Sequence, residues 1–485
     1  MNYKWVALSN TTIGVLMASL DINIVLIALP TIGKDLAGMN AFNVIWVILG
    51  YQLVIASVLV NFGRLSDIFG RVRLYTIGFA LFTIGSALCG FSLDADQLIA
   101  FRLIQATGAA FLFSNSAAII TDAFPINERG KALGINQVSI VVGSVTGLVL
   151  GGALTTLVGW RWIFWVNVPI GIFATSWSYI KLKELSALST NHKLDIGGNL
   201  TFASALLLLL LAITLNAISS LSLAITISMV IAAFVLLWLF VVVEKRSSNP
   251  MFDLSLFRDR VFTTGNESIF LNALSRGSFS LVMVFYLQGP LMNLTPLQAG
   301  IFLIPLSIAL SVMGPISGSI SDRIGFQKPV MIGLAITAIG FLIMANIGTH
   351  ITEEELIIPL VLIGGGMGIF ASPNRSSIMN SVPGPRRGVA SGISSTLVNA
   401  GNTMSIGLAF LFMEFSTPKA VLDGIFSGSG SAIKSFSPLS FVDSVHLVFY
   451  MSSSLLVASL LIYIFVVVRN HSEKPVLGKT KVKAT

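Results

Sequence analysis

The chain has 485 residues, of which 54% are apolar and 10% charged, whereas soluble domains carry about 25% charged residues. So little charge over this length excludes a protein dissolved in water and makes lipid the implied solvent. The formal net charge of +8 sits on basic residues placed between apolar runs, not in one patch, which excludes a nucleic-acid interface.

Apolar runs of about 20 residues, each long enough to cross roughly 30 Å of hydrocarbon as a helix, recur almost throughout. They predict helices near 5–30, 42–62, 74–92, 97–121, 132–157, 163–181, 197–216, 221–243, 261–289, 298–317, 330–348, 357–379, 388–413 and 445–468. That makes about fourteen spans, an all-α integral membrane protein, without the short alternating segments of a closed barrel. The first run reaches Pro30, longer than a signal-peptide core and without an A-x-A-like cleavage site, so it reads as a retained span. Cys89 is the single cysteine, which rules out an internal disulfide or a thiolate cluster. His192, His350, His446 and His471 are scattered between helices, so no metal, cofactor or enzyme activity is expected. The tail Gly478-Lys479-Thr480 has Glu473 where a phosphate-binding loop needs its first glycine, which speaks against ATP as the direct energy source. The Ser-, Gly- and Pro-bearing segment 414–444 reads as flexible surface chain, and Glu353-Glu354-Glu355 as a solvated loop face.

Lys and Arg alternate between the two sides of this layout. One side collects Lys4, Arg64, Arg71, Arg73, Arg129, Lys131, Lys181, Lys183, Lys193, Lys245, Arg246, Arg258, Arg260, Arg323, Lys328, Arg386, Arg387 and the tail from Arg469. The other holds only Lys34, Arg161, Lys419 and Lys434. The bias predicts a multi-pass protein of the cell membrane with both termini cytoplasmic.

Two stretches recur. Gly63-Arg64-Leu65-Ser66-Asp67-Ile68-Phe69-Gly70-Arg71 matches Gly318-Ser319-Ile320-Ser321-Asp322-Arg323-Ile324-Gly325, and Pro125 to Gly134 matches Pro383 to Gly392, at offsets of 255 and 258 residues. Two concordant offsets indicate one duplication. A six-span half needs roughly 200 residues, which leaves room for two further helices between the halves. The predicted organisation is a six-helix bundle over 1–182, a linker with two inserted helices over 183–245, a second six-helix bundle over 246–468, and a basic tail over 469–485. The inserted pair is read as a lipid-facing addition.

The loop Gly63 to Arg73 resembles the signature loop of the major facilitator superfamily. Leu20-Asp21 to Pro30, Arg102-Leu103-Ile104-Gln105, Gly143 to Gly152, Trp160 to Pro169, and Tyr286-Leu287-Gln288 followed by Gly300 and Pro305 resemble motifs of its fourteen-span drug:proton antiporter branch. The resemblance covers nearly the whole chain. It departs at Ser144 and Leu148, where the fifth-helix motif has prolines, and at Ala106, where the fourth-helix motif has Gly. Antiport versus symport is therefore open. The resemblance implies two bundles rocking around a central cavity.

Asp21 lies inside the first span, where a carboxylate costs several kcal/mol unless paired, solvated or protonated. It is the first candidate for proton coupling, the alternative being a hydrogen bond near a helix end. By resemblance Arg102 faces the same cavity; otherwise it snorkels to the interface. Glu267 and Arg276 lie nine residues apart in the ninth span, too far along a straight helix to pair. Glu267 is a candidate for proton or substrate contact or else a cap, and Arg375 stands similarly. Asn23, Gln105, Asn136, Gln137, Arg276 and Asn399 are candidates to line the cavity. Gly63, Asp67, Gly70, Arg71 and Asp322 belong to turns, where Asp67 is expected at a helix N-terminus; by resemblance this latch favours the outward-facing state. Gly143, Gly147, Gly151 and Gly152 are read as close helix packing.

The function expected is export of amphipathic or cationic small molecules in exchange for protons, by a monomer in membrane lipid. The rival of the same fold is a metabolite-specific facilitator or symporter that uses Arg102, Arg276 or Arg375 as an anion clamp. A lipid-acting membrane enzyme and a non-transporting sensor are the readings from other classes.

Overall fold

The computed structural model describes residues 2–125, 128–185, 195–218, 222–247, 250, 252–289, 292–348, 353–383, 386–427 and 438–468. The basic tail 469–485, most of the linker ahead of the inserted pair, His192, His350 and His471 lie outside these. Among the described residues fourteen helices are long and apolar enough to cross a membrane. In chain order they are α1 (Tyr3–Asp35), α2 (Ala41–Phe69), α3 (Arg71–Phe91), α4 (Ala95–Ala123), α5 (Lys131–Leu157), α6 (Trp162–Lys181) and α7 (Ile196–Asn216). They continue with α8 (Leu223–Arg246), α9 (Arg260–Gln288), α10 (Pro296–Ile324), α11 (Gln327–Met344), α12 (Glu355–Asn380), α13 (Val389–Glu414) and α14 (Ser440–Val466). Three are interrupted: α6 at Val166, α9 at Gly277 and Ser278, and α10 at Leu303.

Local chemistry sets the ends. Asn40, Asp94, Ser222 and Asp259 accept backbone N–H bonds at the starts of α2, α4, α8 and α9, and Thr295 forms a capping box with Gln298 ahead of α10. Each such side chain satisfies a donor that the helix itself leaves open. The turns α2–α3 and α10–α11 are made by Gly70 and Gly325, at φ 103° and 84°, a region closed to side chains with a Cβ. These two glycines are the repeat counterparts, so both copies turn by the same device.

The glycines of α5 bring helices together in two directions. A Cβ on Gly143, Gly147 or Gly151 would lie within 2.7 Å of Leu16 O, Leu20 O or the Ile27 side chain of α1. Gly401, the repeat counterpart of Gly143, meets Phe270 O of α9 in the same way. Gly152 differs: its nearest neighbours are Pro296 and Leu297 of α10, across the boundary between the halves.

That boundary is closed at the end remote from the basic loops. Gln288 Nε2 donates to Ile27 O at 2.9 Å, Ala41 N donates to Asp423 Oδ1 at 2.8 Å, and Gly300 approaches Leu148 O. Asp423 belongs to a short helix, Lys419–Ser427, inside the segment expected to be flexible chain; it is held by capping α2. Along α2 and α13 the seam persists, from Gln52–Thr403 to Val60–Gly392. α5 and α10 meet at Gly152 and Gly300 near their outer ends, whereas a Cβ on Gly134 or Gly314, nearer the basic end, would meet no heavy atom within 4 Å. Those two positions face open space toward the basic loops.

The inserted pair corrects one expectation. α8 is exposed along nearly its whole length, as a lipid-facing helix should be. α7 instead lies across both halves: Asn199 bonds Ser57 O and Thr214 receives Trp46 Nε1 at 3.3 Å from α2, while Ile213 meets Gly407 of α13. It covers the α2–α13 seam.

Gly147→Ala is expected to cost about 1–3 kcal/mol of stability, because the helix must shift to admit the methyl. Gly134→Ala should be neutral or stabilising, since it meets nothing and improves helix propensity. Thermal midpoints of the two purified variants check this; equal midpoints would contradict the packing account.

Candidate functional site

Asp21 and Arg102 meet inside the first bundle, with side chains 0% and 1% exposed and Arg102 Nη1 2.5 Å from Asp21 Oδ2. The other carboxylate oxygen accepts from Gln105 Nε2 at 2.8 Å and Asn167 Nδ2 at 3.0 Å. Arg102 also donates to Gln105 Oε1 at 2.6 Å, and its guanidinium lies over the Tyr51 ring, 4.1 Å from the centroid. A buried ion pair survives only when its remaining lone pairs and protons are satisfied, and here Gln105 of α4 and Asn167 of α6 supply the partners. Arg102 and Gln105 share a face of α4 by their spacing of three. Asn167 follows the break in α6, where Ser86 Oγ donates to Phe164 O at 2.9 Å and Asn167 Nδ2 approaches Ser86 at 3.4 Å.

Of the two readings of Arg102, the pairing sets aside snorkelling to the interface: the side chain turns inward to Asp21. Gln105 does not line a cavity, being fully buried with both ends of its amide in the cluster. The hydroxyl of Tyr51 and Oδ1 of Asn167 are buried without a partner among the described residues. Two polar atoms beside the pair thus remain available to a water or a proton.

The other expected cavity residues are dispersed. Asn23 and Asn399 fold back onto Ser19 O and Ser395 O of their own helices, each at 2.9 Å. Asn136 is buried and accepts from Ser116 Oγ at 3.2 Å, tying α5 to α4 rather than facing open space. Gln137 is exposed on α5, on the stretch that diverges from α10. Glu267 is partly buried with Oε1 unpartnered, Arg276 is partly exposed at the break in α9, and Arg375 is exposed on α12.

The turn residues form an ionic knot within the first bundle. Arg71 binds Asp67 and Asp122, both at 2.8 Å. Asp67 was expected to hold a helix N-terminus, but Glu184 does so, accepting from Arg71 N at 3.0 Å and Val72 N at 2.9 Å. Asp67 lies one turn before Arg71 and is taken by its guanidinium, which leaves the open amides of α3 to the carboxylate that follows α6. Asp322, its repeat counterpart, is exposed.

Sequence reading missed Tyr51, Asn167, Asp122 and Glu184 as partners. Asn167 had a signal, an amide in an apolar run two residues before Pro169. Asp122 and Glu184 looked like ordinary loop charge.

An intramembrane ion pair inside one of two duplicated bundles is an arrangement that fits a membrane transporter. The family model for the Major Facilitator Superfamily matches residues 11–406 and 268–484, and the chain belongs to that superfamily: it is a multi-pass membrane transporter of small molecules. It is 36% identical to a riboflavin transporter of Clostridioides difficile (strain 630) over 86% of this chain and 89% of that one. It is 34% identical to the multidrug resistance protein Stp of Mycobacterium tuberculosis over 83% and 74% of the two chains. The fold matches that of the peptide-transporter-family protein PepTSo, with a TM-score of 0.69 at 13% identity, covering 96% and 99% of the two chains.

Arg102→Ala should cost about 3–5 kcal/mol, because it strands a buried carboxylate. The double variant Asp21→Asn with Arg102→Gln, which removes both charges, should recover most of that loss. Thermal unfolding in detergent measures it, and a double variant as unstable as Arg102→Ala would contradict a mutually neutralised pair.

Proposed function

We propose that the chain is a proton-coupled exporter of amphipathic small molecules that works by alternating access in the cell membrane, with the basic end of the cleft facing the cytoplasm. The observation that carries this reading is the Asp21 carboxylate, wholly buried and held by Arg102, Gln105 and Asn167. Protonation of Asp21 removes the charge that holds Arg102, freeing the guanidinium to move, so proton binding and helix arrangement are linked at one point. Multidrug resistance proteins among its relatives support export. At 100 mV each inward charge supplies about 2.3 kcal/mol, enough for a roughly 50-fold gradient of a neutral solute.

A preference for cations needs a free acid in the pathway. Asp21 is paired, which leaves Glu267 as the candidate among the described intramembrane residues and favours amphipathic character over positive charge as the common property of substrates. A second reading, a carrier dedicated to one planar metabolite, is supported by the riboflavin transporter among its relatives.

In proteoliposomes with an imposed pH gradient, an exported amphiphile should trigger proton movement in the wild type and none in Asp21→Asn, while the variant still binds the solute. Movement evoked only by riboflavin, among riboflavin and several chemically unrelated amphiphiles, would favour the dedicated carrier. Unchanged proton movement in Asp21→Asn would remove Asp21 from coupling.

A further inference from the structure

The second mid-membrane guanidinium has no such partner. Arg276 ends the first segment of α9, about 24 Å along the axis from the basic end at 1.5 Å per residue. Among the described residues it makes no ion pair and no hydrogen bond. Two amides beside it are also unsatisfied. Asn272, one turn earlier on the same face, is 5% exposed with Nδ2 unpartnered, and Asn402 of α13 has Oδ1 unpartnered. Asn402 abuts the break itself, since a Cβ on Gly277 would lie 2.5 Å from its Cα.

The helices packed on α9 bring no acid to this depth. Asp21 of α1 is held by Arg102, Glu414 of α13 pairs with Lys419, and α12 contributes Arg375. On α14 His446 is bonded to Ile347 O, and Asp443 stands near the outer end. Glu267 is nine residues back, on the opposite face of α9. Buried polar groups are normally satisfied, and cations in membrane spans face a partner or a pathway. Interrupted helices at mid-membrane are where transporters place their substrates.

We propose that Arg276, Asn272 and Asn402 form the polar subsite of the transport cavity, and that the solute it takes presents acceptor oxygens, a carboxylate above all, on an apolar body. Arg276 and Asn272 Nδ2 donate to those oxygens, and Asn402 Oδ1 accepts from an adjacent N–H or O–H. This rests on the reading that the cavity carries an amphipathic solute, but it does not depend on proton coupling.

Equilibrium binding to the full chain in nanodiscs tests it with three matched probes: 1-pyrenebutyrate, its N-methylamide and the pyrenebutyl-trimethylammonium cation. The wild type should bind the carboxylate at least about 10-fold more tightly than the cation, with the amide between, as a charge-assisted hydrogen bond predicts. Arg276→Gln should erase that margin, Arg276→Lys should keep part of it, and the thermal midpoint of Arg276→Gln should not fall, since no partner is stranded. A wild type without preference for the carboxylate, a margin that survives in Arg276→Gln, or a lowered midpoint that reveals a structural partner would each overturn the proposal. Proton movement measured separately distinguishes this failure from that of the coupling mechanism.

Discussion

The rest of the structure depends on one carboxylate kept out of water. Asp21 is tolerable in the middle of a span only because Arg102, Gln105 and Asn167 occupy both of its oxygens, and those groups arrive from α4 and α6. α1 must therefore sit at fixed distance and rotation against its neighbours. The glycines of α5 allow this, because Gly143, Gly147 and Gly151 let the two backbones touch along several turns. The break at Val166 does the rest by turning Asn167 toward the pair. A network that fills both oxygens of one buried carboxylate has few intermediate arrangements: those contacts are kept together or exchanged for others, which is the property a two-state transporter needs.

The two halves use the same architecture for different chemistry. Both turn at a positive-φ glycine, Gly70 and Gly325, and both pack their first helix against a glycine, Gly143 and Gly401. The first half closes its intramembrane charges upon each other. The second leaves Arg276, Asn272 Nδ2 and Asn402 Oδ1 without a partner among the described residues at the interruption of α9. The two halves thus treat their intramembrane charges differently, and α7 lies across one seam between them.

The span layout was legible because each helix in lipid must satisfy its own backbone and expose an apolar surface, which writes the fold into composition alone. Duplicated turns were legible through their glycines, and Asp21 and Arg102 stood out as charges in apolar runs. What could not be read was direction around the helix. Gln105 and Asn136 looked like cavity residues, yet the first completes the ion pair and the second binds Ser116. In lipid a helix has apolar residues on all sides, so the periodicity that orients a helix in a soluble protein is weak. Long-range partners such as Glu184 at the start of α3, or Asp423 capping α2, depend on loop paths that no local pattern encodes. α7 was misjudged for the same reason: its charge-free sequence suits lipid and a covered seam equally.

The central claim is that protonation of Asp21 sets the arrangement of the halves. Spin labels at Ile135 of α5 and Ile320 of α10, both exposed where the helices diverge, report the opening by pulsed electron resonance in a Cys89→Ala background. The account predicts that Asp21→Asn, which stands in for the protonated carboxyl, shifts the distance distribution away from that of the otherwise wild-type chain at the same pH. Identical distributions in the two would contradict it.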